Sequence, residues 1–231
     1  MFRKMKLGIL YSGGKDSNFA VYNALNEGHE VVLISIIPDN EESMLFHYPN
    51  IVHTKAQAES MNIPILQYRI NADSIEEELK GLEEALEDAK RYGITDISSG
   101  GISSRFQNER FISICKRLGL GYHAPLWNMD QIEYMHKLLE LGFEIMIVGV
   151  SAYGLDERWL GRMLDKEGLD EIIRLSKKYG FNPAFEGGEA ETFVLDMPYF
   201  NYRLAAEGEK YWDGIRGIFK ITKLRKVKKI F

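Results

Sequence analysis

The chain holds one cysteine, Cys115, among 231 residues. No intramolecular disulfide framework can form, and no C-x-x-C pair is present to hold zinc or an iron–sulfur cluster. The 5 histidines make no pair at the helical spacing of metal ligands, so a histidine-built centre is not expected either. No stretch approaches the roughly 20 apolar residues that span a bilayer. The opening "MFRKMKLGILYSGG" is basic, but its apolar run is too short for a secretory signal and passes straight into a glycine loop. The expectation is a cytoplasmic protein with no membrane partner. Positive charge is not in excess, with 29 Lys and Arg against 34 Asp and Glu, so nucleic acid is not expected as a partner. Internal repeats, low-complexity segments and long linkers are lacking too.

What remains is the balance of an ordinary folded protein, 45% hydrophobic and 27% charged, long enough for one large domain or two small ones. The charge is unevenly spread. "EEELKGLEEALED" is acidic, while the terminal "FKITKLRKVKKIF" is basic with apolar residues between. That tail reads as a solvated edge strand carrying protective lysines, with a docking surface for RNA or an acidic protein as the alternative. Cys115 sits at a helical apolar position in "FISICKRLGL" and reads as a packed core thiol.

Along the first half, strand and helix signals alternate. "KLGILYS" is a short apolar run, followed by a helix from Asp16 to Glu27 that Gly28 stops. "EVVLISIIP" is nearly all apolar, as a parallel strand covered on both faces should be. Thr54 and Gln57 suit a capping box for a helix to Met61, and "PILQYRI" is the next strand. In "DSIEEELKGLEEALEDAKRYG", Ile75, Leu79, Leu82 and Leu86 form an apolar stripe behind a Ser74–Glu77 capping box. "ITDISSG", a helix from Asn108 to Leu118 and "LGYHAPLW" close the series. Such alternation predicts an α/β domain with a parallel sheet and helices on both faces, in which ligands sit at the carboxyl ends of strands.

After Trp127 the pattern changes. A helix from Asp130 to Leu141, a strand "FEIMIVGVSAYG" and a helix from Leu169 to Tyr179 precede an antiparallel tail, with "EG" and "DG" as its turns. The expected division is the α/β domain over 1–127 and a smaller α+β domain over 128–231.

The glycine loop is the feature with the most chemistry. Gly13 and Gly14 allow positive φ and close approach of a ligand, Ser12 and Ser17 supply hydroxyls, and Lys15 supplies a cation for phosphate oxygens. Asp16 either helps place a metal or caps its helix. The Walker spacing, the G-x-G-x-x-G dinucleotide spacing and the G-x-S-x-G nucleophile elbow are all absent.

Ser12 to Ser17 resembles in full the S-G-G-x-D-S pyrophosphate loop of the N-type ATP pyrophosphatases. That resemblance implies a HUP-like α/β/α domain that binds ATP with Mg²⁺ and adenylates a substrate, releasing pyrophosphate. A second segment, "FEGGEAETFVLDMP", is similar to the E-G-G-E-x-E-T signature of the diphthine–ammonia ligases, matched by Glu186, Gly187, Gly188, Glu189, Glu191 and Thr192. Phe185 stands where that pattern has a glycine, and Ala190 where it has an aromatic residue. "GGISSRFQNERFISIC" resembles a further family segment through Gly100, Ile102, Ser104, Gln107 and Arg110, although Arg105 and Asn108 depart from its usual charges. "APLW" and "LGRMLD" also match in order.

Each segment also has a plain structural reading. Ser104 and Gln107 could form a capping box, Pro125 and Trp127 could close the sheet, and Arg162 could pair with Asp165 on a helix. The acidic loop is harder to read as structure alone, since its three glutamates repel unless donors, water or a cation screen them.

The resemblance implies an ATP-dependent amide ligase acting on the diphthine carboxylate of translation elongation factor 2, with ammonium as nitrogen donor. It implies catalytic work for Lys15, Asp16, Glu186, Glu189 and Glu191, ATP on Ser12 to Ser17, and substrate contacts from Ser104, Gln107, Arg110, Gly187, Gly188 and Thr192. Asp16 is the expected Mg²⁺ ligand. The rivals are a tRNA-modifying ATP pyrophosphatase and a non-catalytic ATP binder of the universal-stress-protein type. Oligomeric state stays open, with a homodimer as one option.

Overall fold

A computed structural model of the chain describes residues 4–39, 50–100 and 105–229, and at 105–107 it describes the backbone. The chain folds into two compact units, one of Met1–Ser12 and Asp16–Trp127 and one of Gly13–Lys15 and Asn128–Phe231.

The first unit is a five-stranded parallel sheet in the order β3-β2-β1-β4-β5. Its strands are β1 (Lys6–Leu10), β2 (Glu30–Pro38), β3 (Ile65–Ile70), β4 (Asp96–Ser98) and β5 (Gly121–His123). Between them run α1 (Lys15–Asn26), α2 (Thr54–Met61), α3 (Ile75–Ala89) and α4 (Arg105–Leu118). β2 is buried at all but its first residue, which explains its unbroken apolar run. The α3 stripe faces the sheet as its spacing predicts: Leu82 and Leu86 are fully buried in one cluster with Val32, Ile34 and Ile97. Its cap forms as well, since Ser74 Oγ accepts the Glu77 N–H at 3.3 Å. Cys115 is buried in the same cluster, and burial pushes its thiol up to about 11. Chain order reverses direction between β1 and β4, and in sheets of this kind the carboxyl ends at that point form the ligand crevice.

One capping expectation fails. α2 starts at Thr54 without a side-chain cap, because Thr54 and Gln57 are both buried and spent elsewhere. Thr54 Oγ1 donates to the Ile51 carbonyl at 2.7 Å, and Gln57 bonds the Tyr11 hydroxyl at 3.1 Å.

The second unit carries α5 (Gln131–Glu140), α6 (Lys166–Tyr179) and an antiparallel sheet in the order β7-β6-β9-β8. Its strands are β6 (Glu144–Val150), β7 (Ala190–Asp196), β8 (Arg203–Trp212) and β9 (Gly217–Val227). Asp130 caps α5, accepting the Ile132 and Glu133 amides. Asp165 caps α6 through Gly168 and so starts that helix three residues ahead of Leu169.

Two readings of this unit are corrected. β6 ends at Val150 because the Ser151 and Ala152 amides both turn to the Glu189 carbonyl, at 2.9 and 3.2 Å. Glu207–Gly208 is a shift of register inside β8 and not a turn; a Cβ on Gly208 would meet the Lys220 carbonyl at 2.3 Å. The "DG" turn does form, with Asp213 accepting the Ile215 and Arg216 amides at 2.8 Å each. β9 stands between β6 and β8 in the strand order, but it pairs with β6 only at Gly217 and Ile218; its basic part, from Lys220 onward, pairs with β8 alone and is mostly exposed, in keeping with the edge-strand reading. Its cations are partly committed: Arg225 pairs with Glu207, and Lys229 reaches Asp196 at 2.7 Å and the Met197 carbonyl at 2.8 Å.

Candidate active site

The glycine loop follows β1 directly, at the carboxyl end of the central strand. Gly13 has φ +82°, a value an L side chain rarely adopts, so the turn needs a glycine there. Ser12 Oγ and Ser17 Oγ are 3.3 Å apart, across the first turn of α1. Asp16 lies half-buried in that turn, where the helix dipole favours an acid. Lys15, the first residue of α1, is only 2% exposed.

A buried polar network fastens the loop from its strand side. Ser35 Oγ, in the middle of β2, is 2.6 Å from the Tyr11 carbonyl and 3.1 Å from Thr54 Oγ1. The Tyr11 hydroxyl bonds Asn18 at 2.8 Å as well as Gln57, and burial raises its pKa well above the usual tyrosine value. Networks of this kind, fully satisfied at low dielectric, hold one arrangement. The sequence pattern assigns Thr54 and Gln57 to a helix cap and gives Tyr11, Asn18 and Ser35 no role. The available signal was Ser35, a hydroxyl inside an otherwise apolar strand.

Gly100, after β4, packs against the same helix start. A Cβ there would lie 2.4 Å from the Asp16 carbonyl carbon and 2.7 Å from the Ser17 nitrogen. A glycine of the segment read as substrate-binding thus has a steric task beneath the phosphate loop. Of its companions, Ser104 and the Gln107 side chain lie outside the described residues, and Arg110 is half-buried on α4.

Loop residues 13–15 belong with the second unit, and three contacts tie them to it. The Val194 amide donates to the Gly13 carbonyl at 3.0 Å, using the open edge of β7. The Lys15 amide donates to Thr192 Oγ1 at 3.1 Å. Lys15 Nζ stands 5.8 Å from the centre of the Phe185 ring.

The acidic segment is a tight turn leading into β7. Glu189 uses both carboxylate oxygens inside it: Oε1 accepts the Asn182 amide at 2.9 Å and Oε2 the Gly187 amide at 2.7 Å. One of the three neighbouring glutamates is therefore screened by backbone donors. Ser151 Oγ closes the turn from the other side, donating to the Gly188 carbonyl at 2.5 Å. Glu186 and Glu191 are half-buried, and Gly149 makes room for Glu191, since a Cβ there would lie 3.1 Å from that of Glu191.

The "LGRMLD" segment is not part of this constellation. Arg162 stacks on the buried Trp159 at 4.4 Å and pairs with Glu171 at 3.2 Å, while Asp165, its expected partner, is the α6 cap.

Together the loop offers a positive-φ glycine, two hydroxyls, helix amides and a buried cation, a donor set suited to phosphate oxygens. Among the described residues no three His, Cys, Asp or Glu side chains gather to hold a metal by themselves.

Two family models match the chain. That of the diphthamide synthase N-terminal domain matches residues 5–122, and that of the C-terminal domain matches residues 130–227. A rat protein named diphthine–ammonia ligase is 33% identical over 223 residues, covering 88% of this chain and 83% of its own. The human protein of that name is 31% identical over 226 residues, with 89% and 84% covered. The Schizosaccharomyces pombe protein of that name is 34% identical over 217 residues, 87% of this chain but 36% of its own length. Among solved structures, a predicted subunit of tRNA methyltransferase from Methanocaldococcus jannaschii gives a TM-score of 0.48 at 15% identity, over 84% of this chain and 98% of that one.

Proposed function

Because the chain belongs to the diphthamide synthase family, we propose that it is an ATP-dependent diphthine–ammonia ligase that amidates the diphthine carboxylate of translation elongation factor 2. The observation that carries this reading is the seating of Lys15. Its side chain is buried at the start of α1, and its amide is bonded to Thr192 of the E-G-G-E-x-E-T segment. The phosphate loop and the segment that names the chemistry are therefore in direct contact.

In this reading the substrate carboxylate attacks the α-phosphate of ATP. The α–β bridging bond breaks, and an acyl-adenylate and pyrophosphate form. The amides at the α1 N-terminus, the hydroxyls of Ser12 and Ser17 and the Lys15 ammonium hold the phosphates and stabilise the charge that grows on pyrophosphate. Asp16 is the residue that would hold Mg²⁺, which when bound would supply further neutralising charge. Ammonia then attacks the acyl carbon; AMP leaves with the electron pair, and the amide nitrogen gives up a proton. Glu186 and Glu191, presented on the rigid turn that Glu189 holds, attract ammonium and accept that proton. Arg110, Gly187, Gly188 and Thr192 complete the set of substrate-side residues, together with Ser104 and Gln107.

The test is incubation with ATP, Mg²⁺, ammonium and elongation factor 2 bearing diphthine, following AMP and the mass of the modified residue. AMP release matched by a mass decrease of about 1 Da, the difference between OH and NH₂, is expected. AMP release that requires tRNA would point to a base-modifying pyrophosphatase. Tight ATP binding without turnover would point to a sensor.

A further inference from the structure

Phe185 breaks a local rule. Its φ is +63°, in the left-handed region, and the other two described non-glycine residues there are asparagines, Asn62 and Asn128. Asparagine tolerates this conformation, whereas a bulky aromatic does so only when its surroundings hold it. Phe185 is held. It is 5% exposed, its amide donates to the Asn182 carbonyl at 3.0 Å, and its carbonyl accepts the Gly188 amide at 3.2 Å. Its ring is within cation–π range of Lys15 Nζ. A glycine would remove the backbone strain and also remove the ring.

Thr192 meets the same lysine from its backbone side. The Lys15 amide is one of the first-turn N–H groups that a helix cannot satisfy internally. Thr192 Oγ1 accepts it from β7, and the neighbouring Val194 amide pins the Gly13 carbonyl just before it. Lys15 thus meets Phe185 at its ammonium and Thr192 at its amide.

From these contacts we infer that Phe185 and Thr192 are positioning residues for the phosphate loop: Phe185 orients the Lys15 ammonium, and Thr192 orients its amide. This rests on the ATP-using ligase reading, but it moves Thr192 from the substrate side to the nucleotide side and adds Phe185. Neither residue has to touch ATP. Each sets the geometry of a group that does, so its loss falls on nucleotide affinity.

The experiment measures ATP affinity by calorimetry, without turnover, alongside the melting temperature of the ligand-free protein. Phe185→Leu keeps apolar volume and loses the ring face, and should weaken ATP binding about threefold to thirtyfold. Thr192→Val should weaken it about twofold to tenfold, and Thr192→Ser, which keeps the acceptor, should restore it. In a Lys15→Met background the Phe185→Leu effect should vanish, because the ring then has no ammonium to orient. A purely packing role would lower the melting temperature and leave ATP affinity unchanged, which overturns the proposal. So would an effect of Phe185→Leu that persists with Lys15→Met. An unchanged ATP affinity with a raised Michaelis constant for ammonium would return both residues to the substrate side while leaving the ligase reading intact. If the wild-type protein binds ATP with these dependences yet forms no AMP, the ligase reading fails and the positioning roles stand.

Discussion

Gly100→Ala adds one methyl group at the point where the end of β4 meets the start of α1. The φ of Gly100 lies outside the left-handed region, so alanine meets no conformational penalty of its own, and the whole effect is steric. The new Cβ would lie 2.4, 2.6 and 2.7 Å from the Asp16 carbon, the Asp16 oxygen and the Ser17 nitrogen. All three are backbone atoms, so no side chain can swing away. The first turn of α1 must retreat by about 1 Å to restore ordinary contact at 3.4 Å. Overpacking of this kind costs about 1–3 kcal/mol. For a protein of this size that is a fall in melting temperature of roughly 2–12 °C.

The same movement carries the Asp16 and Ser17 amides away from where the proposed function has them meet a phosphate oxygen. One lost hydrogen bond to a charged group is worth about 1.5–3 kcal/mol, so ATP affinity should fall about tenfold or more. Gly28→Ala is the matched control. Gly28 has φ +77° and nothing within 4 Å of the place its new methyl group would occupy, so alanine there brings left-handed strain of about 1–2 kcal/mol without a clash. Its ATP affinity should stay at the wild-type value. Chemical denaturation and calorimetric titration of the two variants separate the cases. A Gly100→Ala protein that binds ATP like the control would refute the close approach and the role drawn from it.

Other outcomes follow from single contacts. Glu189→Gln turns one of two acceptors into a donor facing a backbone N–H, and should cost about 1–3 kcal/mol. Amidation should fall while ATP affinity holds, and a variant with wild-type turnover would remove Glu189 from the turn's support. Truncation before residue 223 removes the β9 partners of Arg203 to Glu207 and leaves Asp196 without Lys229. It should lower the melting temperature, and a truncated chain melting at the full-length temperature would contradict the pairing of β9 with β8. Cys115 gives a pH dependence. Its native thiol titrates at about 11, against about 8.5 for an exposed thiol, so between those values the unfolded chain has released a proton that the native one retains. The unfolded state binds fewer protons, and stability contributed by the thiol falls as pH rises through that window. The difference in urea midpoint between wild type and Cys115→Ala should be constant below about pH 8 and shift against the wild type above it. A difference that stays constant up to about pH 10 would contradict the buried thiol.

The first unit and the glycine loop were legible because their signals are local. The α3 stripe and its Ser74 cap lie within one helix, and the S-G-G-K-D-S chemistry needs six consecutive residues. Thr54 and Gln57 carry the same local signal as Ser74 and Glu77, yet they form no cap. What separates the pairs is the partner: Ser35 and Tyr11 lie far away in sequence and present buried polar groups that must be satisfied. A buried group without a bond costs more than an exposed helix end without a cap, so the tertiary demand wins. The tail follows the same logic. Lysines in a strand suggest an edge, and the lysine-bearing part of β9 pairs with β8 alone; what the local pattern does not show is that the start of the same strand, Gly217 and Ile218, pairs with β6 as well. Glu207–Gly208 resembles a turn by composition, whereas the glycine is there because the Lys220 carbonyl leaves no space for a side chain.

The site divides along the same line, and Phe185 shows why. By sequence it is one departure from a glycine, the kind of change a loop ordinarily tolerates. The left-handed φ reverses that reading, because glycine is the residue such a backbone favours and an aromatic ring is among the costliest alternatives. A costly residue in a buried turn needs a return from elsewhere in the chain. One contact that supplies it is with the ammonium of Lys15, about 170 residues earlier in the sequence, and no local pattern could have paired the two.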